Sequence, residues 1–248
     1  MVEPQRKSWD LEQLPTGEKK AQAVRDMFDT IAPRYDIVNR IMTFRLDVRW
    51  RRRAVNDLRL PAGSVVADLA SGTGDLCAEL RRQGMTPLSF DFSFGMLAND
   101  TSRSPRTQAD VLRLPLRSAS VDGITCGFAL RNLVELPVFF HELARVVRPA
   151  GRIALLDVSV PTNPFVRWGN SLYFGKFVPW LGGILSDRAA YGYLPRSVSY
   201  LPPPAELSQL LRDAGFRNVT HHQLSGRSHA THARHPVNGA PCDSSLAR

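Results

Sequence analysis

Cysteine and lysine are both scarce in this chain. The 248 residues contain three cysteines, Cys77, Cys126 and Cys242. They lie far apart and show no metal-ligand spacing, so neither a disulfide framework nor a zinc knuckle fits. Cys77 and Cys126 fall in apolar segments, where a reduced core cysteine is the ordinary reading, and a reducing cytoplasmic setting follows. Long apolar runs are also missing. The longest, Leu172 to Leu185, is interrupted by Lys176, Pro179 and two glycines, and is too short to span a bilayer. The N-terminal stretch MVEPQRKSWDLEQLP has no apolar signal core. Only four lysines accompany 28 arginines, and the net charge is +9. Such a charge suits nucleic acid, an anionic membrane or an acidic substrate. No RNA-binding or helix-turn-helix pattern accompanies it, which argues against nucleic acid. The run Arg49, Arg51, Arg52, Arg53 reads most simply as a solvated helix face, with peripheral membrane contact as the functional rival.

What is present is enough for one large domain: 43% of the residues are hydrophobic. Residues 1–17 read as a flexible arm. Helical periodicity begins at Glu18 and runs through Ala23, Met27, Phe28 and Ile31. Pro33 interrupts it, and a second helical tract spans Tyr35 to Leu58. Short apolar runs then alternate with helical segments. Strands are expected at Val65–Leu69, Pro87–Phe90, Thr107–Asp110, Asp122–Phe128 and Arg152–Val158, and the main helices between them at Asp75–Gln83 and Leu136–Val147. This rhythm predicts an α/β domain over 18–226, a doubly wound parallel sheet with helices on both faces. Residues 160–204, rich in proline, glycine and aromatics, read as a cap insertion. A last helix is expected at Pro204–Ala214 with Gly215 as its stop, then a sixth strand at Phe216–Leu224. Residues 227–248 carry three closely spaced histidines, His229, His232 and His235, and no apolar period; they read as a disordered or divergent tail.

The most informative stretch is SVVADLASGTGDLCAEL, Ser64 to Leu80. An apolar strand ends in Asp68, and Ser71-Gly72-Thr73-Gly74-Asp75 forms the turn into a helix. Such a turn binds anions and nucleotide-type ligands. A dinucleotide fingerprint needs a third glycine where Cys77 stands. Asp68 before the turn would repel a pyrophosphate and suits an amino-acid ammonium, directly or through water. D-x-x-x-G-x-G therefore favours S-adenosyl-L-methionine, with Asp68, Gly72, Thr73 and Gly74 in the cradle. Asp91, at the end of the second strand, can accept both ribose hydroxyls. Asp110, closing the third strand, can take the adenine amine, while Val111 offers the ring an apolar edge. Any one of these aspartates alone reads better as a helix cap or turn former. Together with the glycine turn they grip three parts of one cofactor.

These residues resemble those of the class I methyltransferases. YDIVNRIMTFRLDVRW (Tyr35–Trp50), GFALRNLVEL (Gly127–Leu136), RVVRPAGRIALLDVS (Arg145–Ser159) and AYGYLPRSVSYLPPPAELSQLLRDAGF (Ala190–Phe216) are similar to the signatures of the ubiquinone/menaquinone biosynthesis C-methyltransferases. The resemblance covers about Glu18 to Gly226. It implies a Rossmann-like fold with N-terminal helices and a polyprenyl quinol as methyl acceptor. Val38, Thr43 and Asp47 replace the usual Met, Ser and His; Ala150 and Asp157 replace a Gly and a Glu. Gly127 stands where many members carry a cofactor-contacting serine. After LSG the family's final apolar strand is not recognisable, which puts the last antiparallel strand in question.

The implied chemistry is methyl transfer to a ring carbon ortho to a phenol, which becomes nucleophilic once the phenol, with a pKa of ~10, is deprotonated. Alignment and charge stabilisation are what a protein must supply. Arg131 and Asn132, after the fourth strand, are the candidates to stabilise and hold the quinol oxygen, and Tyr35 to close over the ring. Against this, Arg131 reads as a structural ion pair and Tyr35 as a core aromatic. Asp36 is a candidate base or arginine partner. The cap aromatics Trp168, Tyr173, Phe174, Phe177 and Trp180, with Arg167 and Lys176, read as core for the insert, as a channel for the isoprenoid tail, or as a membrane contact. Competing readings are a phenolic or polyketide acceptor, a catalytically silent cofactor-binding protein and an NAD-dependent oxidoreductase. Oligomeric state is not legible.

Overall fold

A computed structural model describes residues 16–158, 193, 197–224 and 228–236. Helix α1 (Gly17–Ile31) leads through a 3-10 turn (Ala32–Arg34) into α2 (Tyr35–Met42) and α3 (Leu46–Leu58). The single helical tract expected from Tyr35 to Leu58 is thus two helices. Thr43 closes α2, and Phe44 and Arg45 both adopt left-handed backbone, at φ 50° and 60°. Two consecutive left-handed non-glycine residues carry no composition signal, so the break was invisible in the sequence.

The sheet follows: β1 (Val65–Leu69), α4 (Asp75–Arg82), β2 (Thr86–Asp91), α5 (Phe94–Ala98), β3 (Arg106–Gln108), β4 (Val121–Gly127), α6 (Leu136–Val146), β5 (Val147–Val158), α7 (Pro204–Asp213), β6 (Arg217–Leu224) and β7 (Ser228–Arg234). Its order is β3-β2-β1-β4-β5-β7-β6. The first five strands are parallel, and β7 runs antiparallel to both β5 and β6. The final antiparallel strand, put in question by the sequence, therefore forms over Ser228–Arg234, within the stretch expected to be a disordered or divergent tail. Seven residue pairs, Arg152↔Arg234 to Val158↔Ser228, register β7 on β5. Ala230, Thr231, His232 and Ala233 are buried in an inner strand between two neighbours. Small and polar side chains suffice there, because the backbone ladder and close packing replace a branched apolar run. Two of the three histidines pack against rings: His232 lies beside His222, with ring centroids 6.2 Å apart, and His235 meets Phe216 edge-on at 5.9 Å. Residues 237–248 and 159–192, the latter holding most of the expected cap and its aromatics, lie outside the described residues.

Alternation along the central strands sends side chains to two cores. Ala67, Leu69, Ile124 and Leu155 meet Phe139, Phe140 and Leu143 of α6 and Leu207 and Leu211 of α7. Val66, Ala154 and Leu156 meet Trp50, Val55 and Leu58 of α3 and Leu76 and Leu80 of α4. A third cluster, Met27, Ile31, Val38, Met42, Met96 and Tyr193, fastens the N-terminal helices over α5. The arginine run on α3 is not simply a solvated face: Arg51 is buried, while Arg49, Arg52 and Arg53 are exposed. Among the described residues no helix is long and apolar enough to cross a membrane.

The contact of α1 with α5 is tight. Asp29 Oδ1 accepts from Ser93 Oγ at 2.5 Å and from the Gly95 N–H at 2.8 Å. A Cβ on Gly95 would lie 2.9 Å from the Asp29 Cα. Gly95→Ala should therefore push α1 outward and cost ~1–3 kcal/mol, as overpacking does. Calorimetry should show the melting temperature fall by several degrees, at ~2–4 °C per kcal/mol; an unchanged melting temperature would contradict this packing.

Candidate active site

The strand order reverses between β1 and β4, and open α/β sheets bind ligands outside the strand ends at such a switch point. A cleft of about 900 Å³, counting its open mouth, lies there. Its sheet side carries Ala70, Gly72, Asp91, Asp110, Val111 and Gly127; its far side carries Ala21, Val24, Phe28 and Tyr35 from the N-terminal helices. Phe92, Phe128, Asn132, Leu133 and Val134 also line it.

The glycine turn is shaped by two different demands. Gly72, at φ 58°, has open space where a Cβ would stand, so its backbone faces the cleft directly. Gly74, at φ 87°, does not line the cleft: a Cβ would lie 2.3 Å from Asp100 Oδ1 and 2.8 Å from the Ser102 Cβ. Its glycine is required by packing against the 100–102 loop. Thr73 likewise turns away from the cleft, donating to Asp36 Oδ1 at 2.5 Å.

The three aspartates are in three environments. Asp68 is fully buried behind the turn and outside the cleft lining. It accepts from Thr125 Oγ1 at 2.7 Å and from Cys77 Sγ at 3.4 Å. Burial pushes its pKa up to about 7, against the pull of those donors. Cys77, at the missing third glycine, thus supports Asp68, and burial raises its own pKa strongly. Asp91 reaches the cleft. Its Oδ2 accepts from the Gly72 N–H and its Oδ1 from the Ser93 N–H, each at 2.8 Å. Burial still lifts its pKa to about 6. Asp110 is exposed at the mouth, two residues beyond β3, and its Oδ1 accepts from the Leu112 N–H at 2.9 Å. Val111 beside it is buried.

Asn132 and Arg131 are adjacent in sequence and separate in space. Asn132 lines the cleft, and its Oδ1 accepts from the Tyr193 hydroxyl at 3.4 Å. Arg131 is buried behind it, ion-paired with Asp157, and its Nε donates to Ser197 Oγ at 3.1 Å. The structural ion pair weighed for Arg131 is therefore present, and the residue does not line the cleft. Its charge still reaches Tyr35. The Tyr35 hydroxyl pKa is raised by burial, while Arg51 and Arg131 pull it down. Tyr35 lines the cleft and meets Phe28 edge-on at 6.0 Å.

Sequence reasoning missed four residues. Tyr193 and Ser197, from the C-terminal signature, brace Asn132 and Arg131. Lys20 is buried, donates to the Leu133 carbonyl at 2.9 Å, and sits 3.7 Å from the centroid of the Tyr200 ring. Burial lowers its pKa to about 8. Asp75 joins Arg40 at 2.8 Å and Arg51 at 3.2 Å, tying α2 and α3 to the start of α4. Two departures from the first signature bond each other: Thr43 Oγ1 donates to Asp47 Oδ1 at 2.6 Å, and Asp47 also pairs with Arg51. At Gly127 a Cβ would lie 2.8 Å from Leu76 Cδ1, so a serine there would need Leu76 to move.

A doubly wound sheet with this strand order, a glycine turn open to a switch-point cleft and carboxylates at successive strand ends defines an S-adenosylmethionine-dependent methyltransferase fold. The likeness to solved structures agrees. Phosphoethanolamine N-methyltransferase 2 of Haemonchus contortus, solved with S-adenosyl-L-methionine, superposes with a TM-score of 0.56 at 11% identity; the match covers 75% of this chain and 52% of that one. A family model described as the ubiE/COQ5 methyltransferase family matches residues 16–235, and the chain belongs to that family. The ubiquinone/menaquinone biosynthesis C-methyltransferase UbiE of Geobacter sulfurreducens is 36% identical over 82% of this chain and 84% of its own length. The demethylmenaquinone methyltransferase of Roseiflexus castenholzii is 37% identical over 88% and 95% respectively.

The Arg131–Asp157 pair makes a direct prediction. Arg131→Ala leaves a buried carboxylate unpaired and should destabilise by ~3–5 kcal/mol in denaturant unfolding. Adding Asp157→Leu should recover most of that stability. Failure of the second change to recover it would show that Arg131 does not act chiefly through Asp157.

Proposed function

We propose that the protein methylates a ring carbon of a demethylated polyprenyl quinol, demethylmenaquinol or its ubiquinone-pathway equivalent, at the cytoplasmic face of a membrane. The observation that carries this reading is the composition of this cleft. One side presents Gly72, Asp91, Asp110 and Val111 for the cofactor; the other presents apolar Ala21, Val24, Phe28, Leu133 and Val134 with Tyr35 and Asn132 as polar groups. An apolar wall with few polar groups suits a flat aromatic acceptor. The names of the relatives support a quinone acceptor.

The residues fit S-adenosyl-L-methionine. Bound there, it supplies an electrophilic methyl on a sulfonium. The Gly72 backbone leaves room for the methionine part, Asp91 accepts the ribose hydroxyls, and Asp110 with Val111 receives the adenine. Each Asp91 oxygen already takes one N–H and keeps lone pairs for a hydroxyl donor. Asp68 lies outside the cleft lining, bonded to Thr125 and Cys77.

On the acceptor side, the Asn132 amide faces the quinol oxygen. With its Oδ1 taken by Tyr193, its NH2 group is left to donate. A donor there stabilises the phenolate that makes the ortho carbon nucleophilic. Tyr35 closes over the ring. Arg131 is a positioning residue: it holds the 130–132 turn through Asp157 and adds positive charge behind it.

Purified protein, S-adenosyl-L-methionine and demethylmenaquinol should give a product heavier by one methylene in mass spectrometry. Asn132→Ala should lower kcat by ~100-fold or more, the scale of losing one transition-state hydrogen-bond donor. No methylated quinol under conditions where cofactor binds would exclude this acceptor.

Cofactor binding should carry the signature of Asp91. Its pKa of about 6 lies above the ordinary carboxylate range, and hydroxyl donors favour the ionised form. Affinity should be full above pH ~7 and fall as pH drops through 6, approaching a factor of ~10 per unit. Calorimetry over pH 5–8 checks this, and Asp91→Asn should flatten the profile. A break near pH 7 that survives Asp91→Asn would assign the titration to Asp68 instead.

A further inference from the structure

Helix α2 has an outer face that the chemistry of the cleft does not use. From Pro33 to Arg45 the exposed residues are Pro33, Arg34, Ile37, Ile41, Phe44 and Arg45: every one is apolar or arginine. Ile37, Ile41 and Phe44 are 62%, 43% and 67% exposed. Ile37 and Ile41, four residues apart, share one side of the helix, and Phe44 stands in the turn that follows it. Single exposed apolar residues are ordinary on a protein surface; two on one side of a short helix with a third in the turn that follows are not.

Along this segment the exposed charge has one sign. Asp36 is turned inward onto Thr73, and Asp47 is buried against Thr43 and Arg51. From Pro33 to Arg52 no carboxylate is exposed, while Arg34, Arg45, Arg49 and Arg52 are. A water-facing helix would mix both signs. An apolar stripe flanked by arginines is instead complementary to an anionic bilayer: the aliphatic groups enter the acyl boundary and the guanidinium groups reach lipid phosphates.

We propose that the outer face of α2, Ile37, Ile41 and Phe44 between Arg34 and Arg45, seats the protein on an anionic lipid bilayer. The inner face of the same helix places Tyr35 in the cleft and Val38 and Met42 in the core. One helix thus stands between the membrane and the cleft. The proposal deepens the polyprenyl-quinol reading and rests on it for its purpose, since that acceptor resides in the bilayer. Its geometry is independent.

The test is co-sedimentation of the full-length protein with vesicles of phosphatidylcholine alone or mixed equally with phosphatidylglycerol. The wild type should bind the anionic vesicles, and high salt should weaken binding. Ile37→Ser, Ile41→Ser and Phe44→Ser together should weaken it by at least ~10-fold. Arg34→Gln with Arg45→Gln should weaken it by roughly 30-fold. Both variants should keep wild-type cofactor affinity in calorimetry. If the serine variant loses cofactor affinity, the arginine pair decides. Absent binding by the wild type, or unchanged binding by the arginine pair, would overturn the proposal. So would light scattering that shows a dimer split by these substitutions, since a second copy would then be the occupant. Vesicle binding needs no acceptor, so a protein that binds membranes as predicted without methylating the quinol refutes only the acceptor reading.

Discussion

Everything at the cleft depends on how the N-terminal helices are tied to the glycine turn. Asp36 of α2 accepts from Thr73 in the turn itself. One residue pair further on, Asp75 bridges Arg40 of α2 and Arg51 of α3. Arg51 also holds Asp47 and lies 5.4 Å from the centroid of the Phe128 ring in the cleft wall. Buried pairs of this kind add little net stability over apolar packing, but losing one partner is costly. Their effect is placement. They fix the helices that carry Ala21, Val24, Phe28 and Tyr35 opposite Gly72 and Asp91, and so convert an open sheet end into a two-walled cleft.

That tether also explains why similar residues at neighbouring strand ends behave differently. Asp68 and Asp91 end adjacent parallel strands, yet only Asp91 reaches the cleft. Asp68 points into the space under α4, where Thr125 and Cys77 are its partners. Asp91 sits beneath the Gly72 amide and fixes the turn from the cleft side. Arg131 and Asn132 repeat the division one strand further: one braces and the other faces the cavity.

Much of this was readable in the sequence because buried parallel strands and glycine turns leave strong local signals. Five parallel strands, the turn and Asp91, Asp110 and Val111 as cleft residues came from such patterns, while Gly127, Tyr35 and Asn132 came from the family resemblance. The inward bonding of Thr73 and the buried place of Asp68 did not, because both depend on elements 37 and 57 residues away in the chain. Strand β7 escaped notice because an inner strand built of Ser, His, Ala and Thr has the composition of a loop. Its nearest signal was the glycine of Leu224-Ser225-Gly226-Arg227, at hairpin spacing: Leu224 pairs with Ser228 across it. The Thr43–Asp47–Arg51 chain could be found only in three dimensions, since each residue alone looks like a mild departure from its signature.

The central claim is that one cleft receives the cofactor against Gly72, Asp91 and Asp110, with the acceptor side closed by Tyr35 and Asn132. A crystal structure of the protein with S-adenosylhomocysteine tests it most directly. The account predicts ribose hydroxyls on Asp91, adenine beside Asp110 and Val111, the amino-acid end along Gly72, and the sulfur facing Asn132 and Tyr35. A cofactor held outside this cleft, or one bound with Asp91 making no contact to it, would contradict the account.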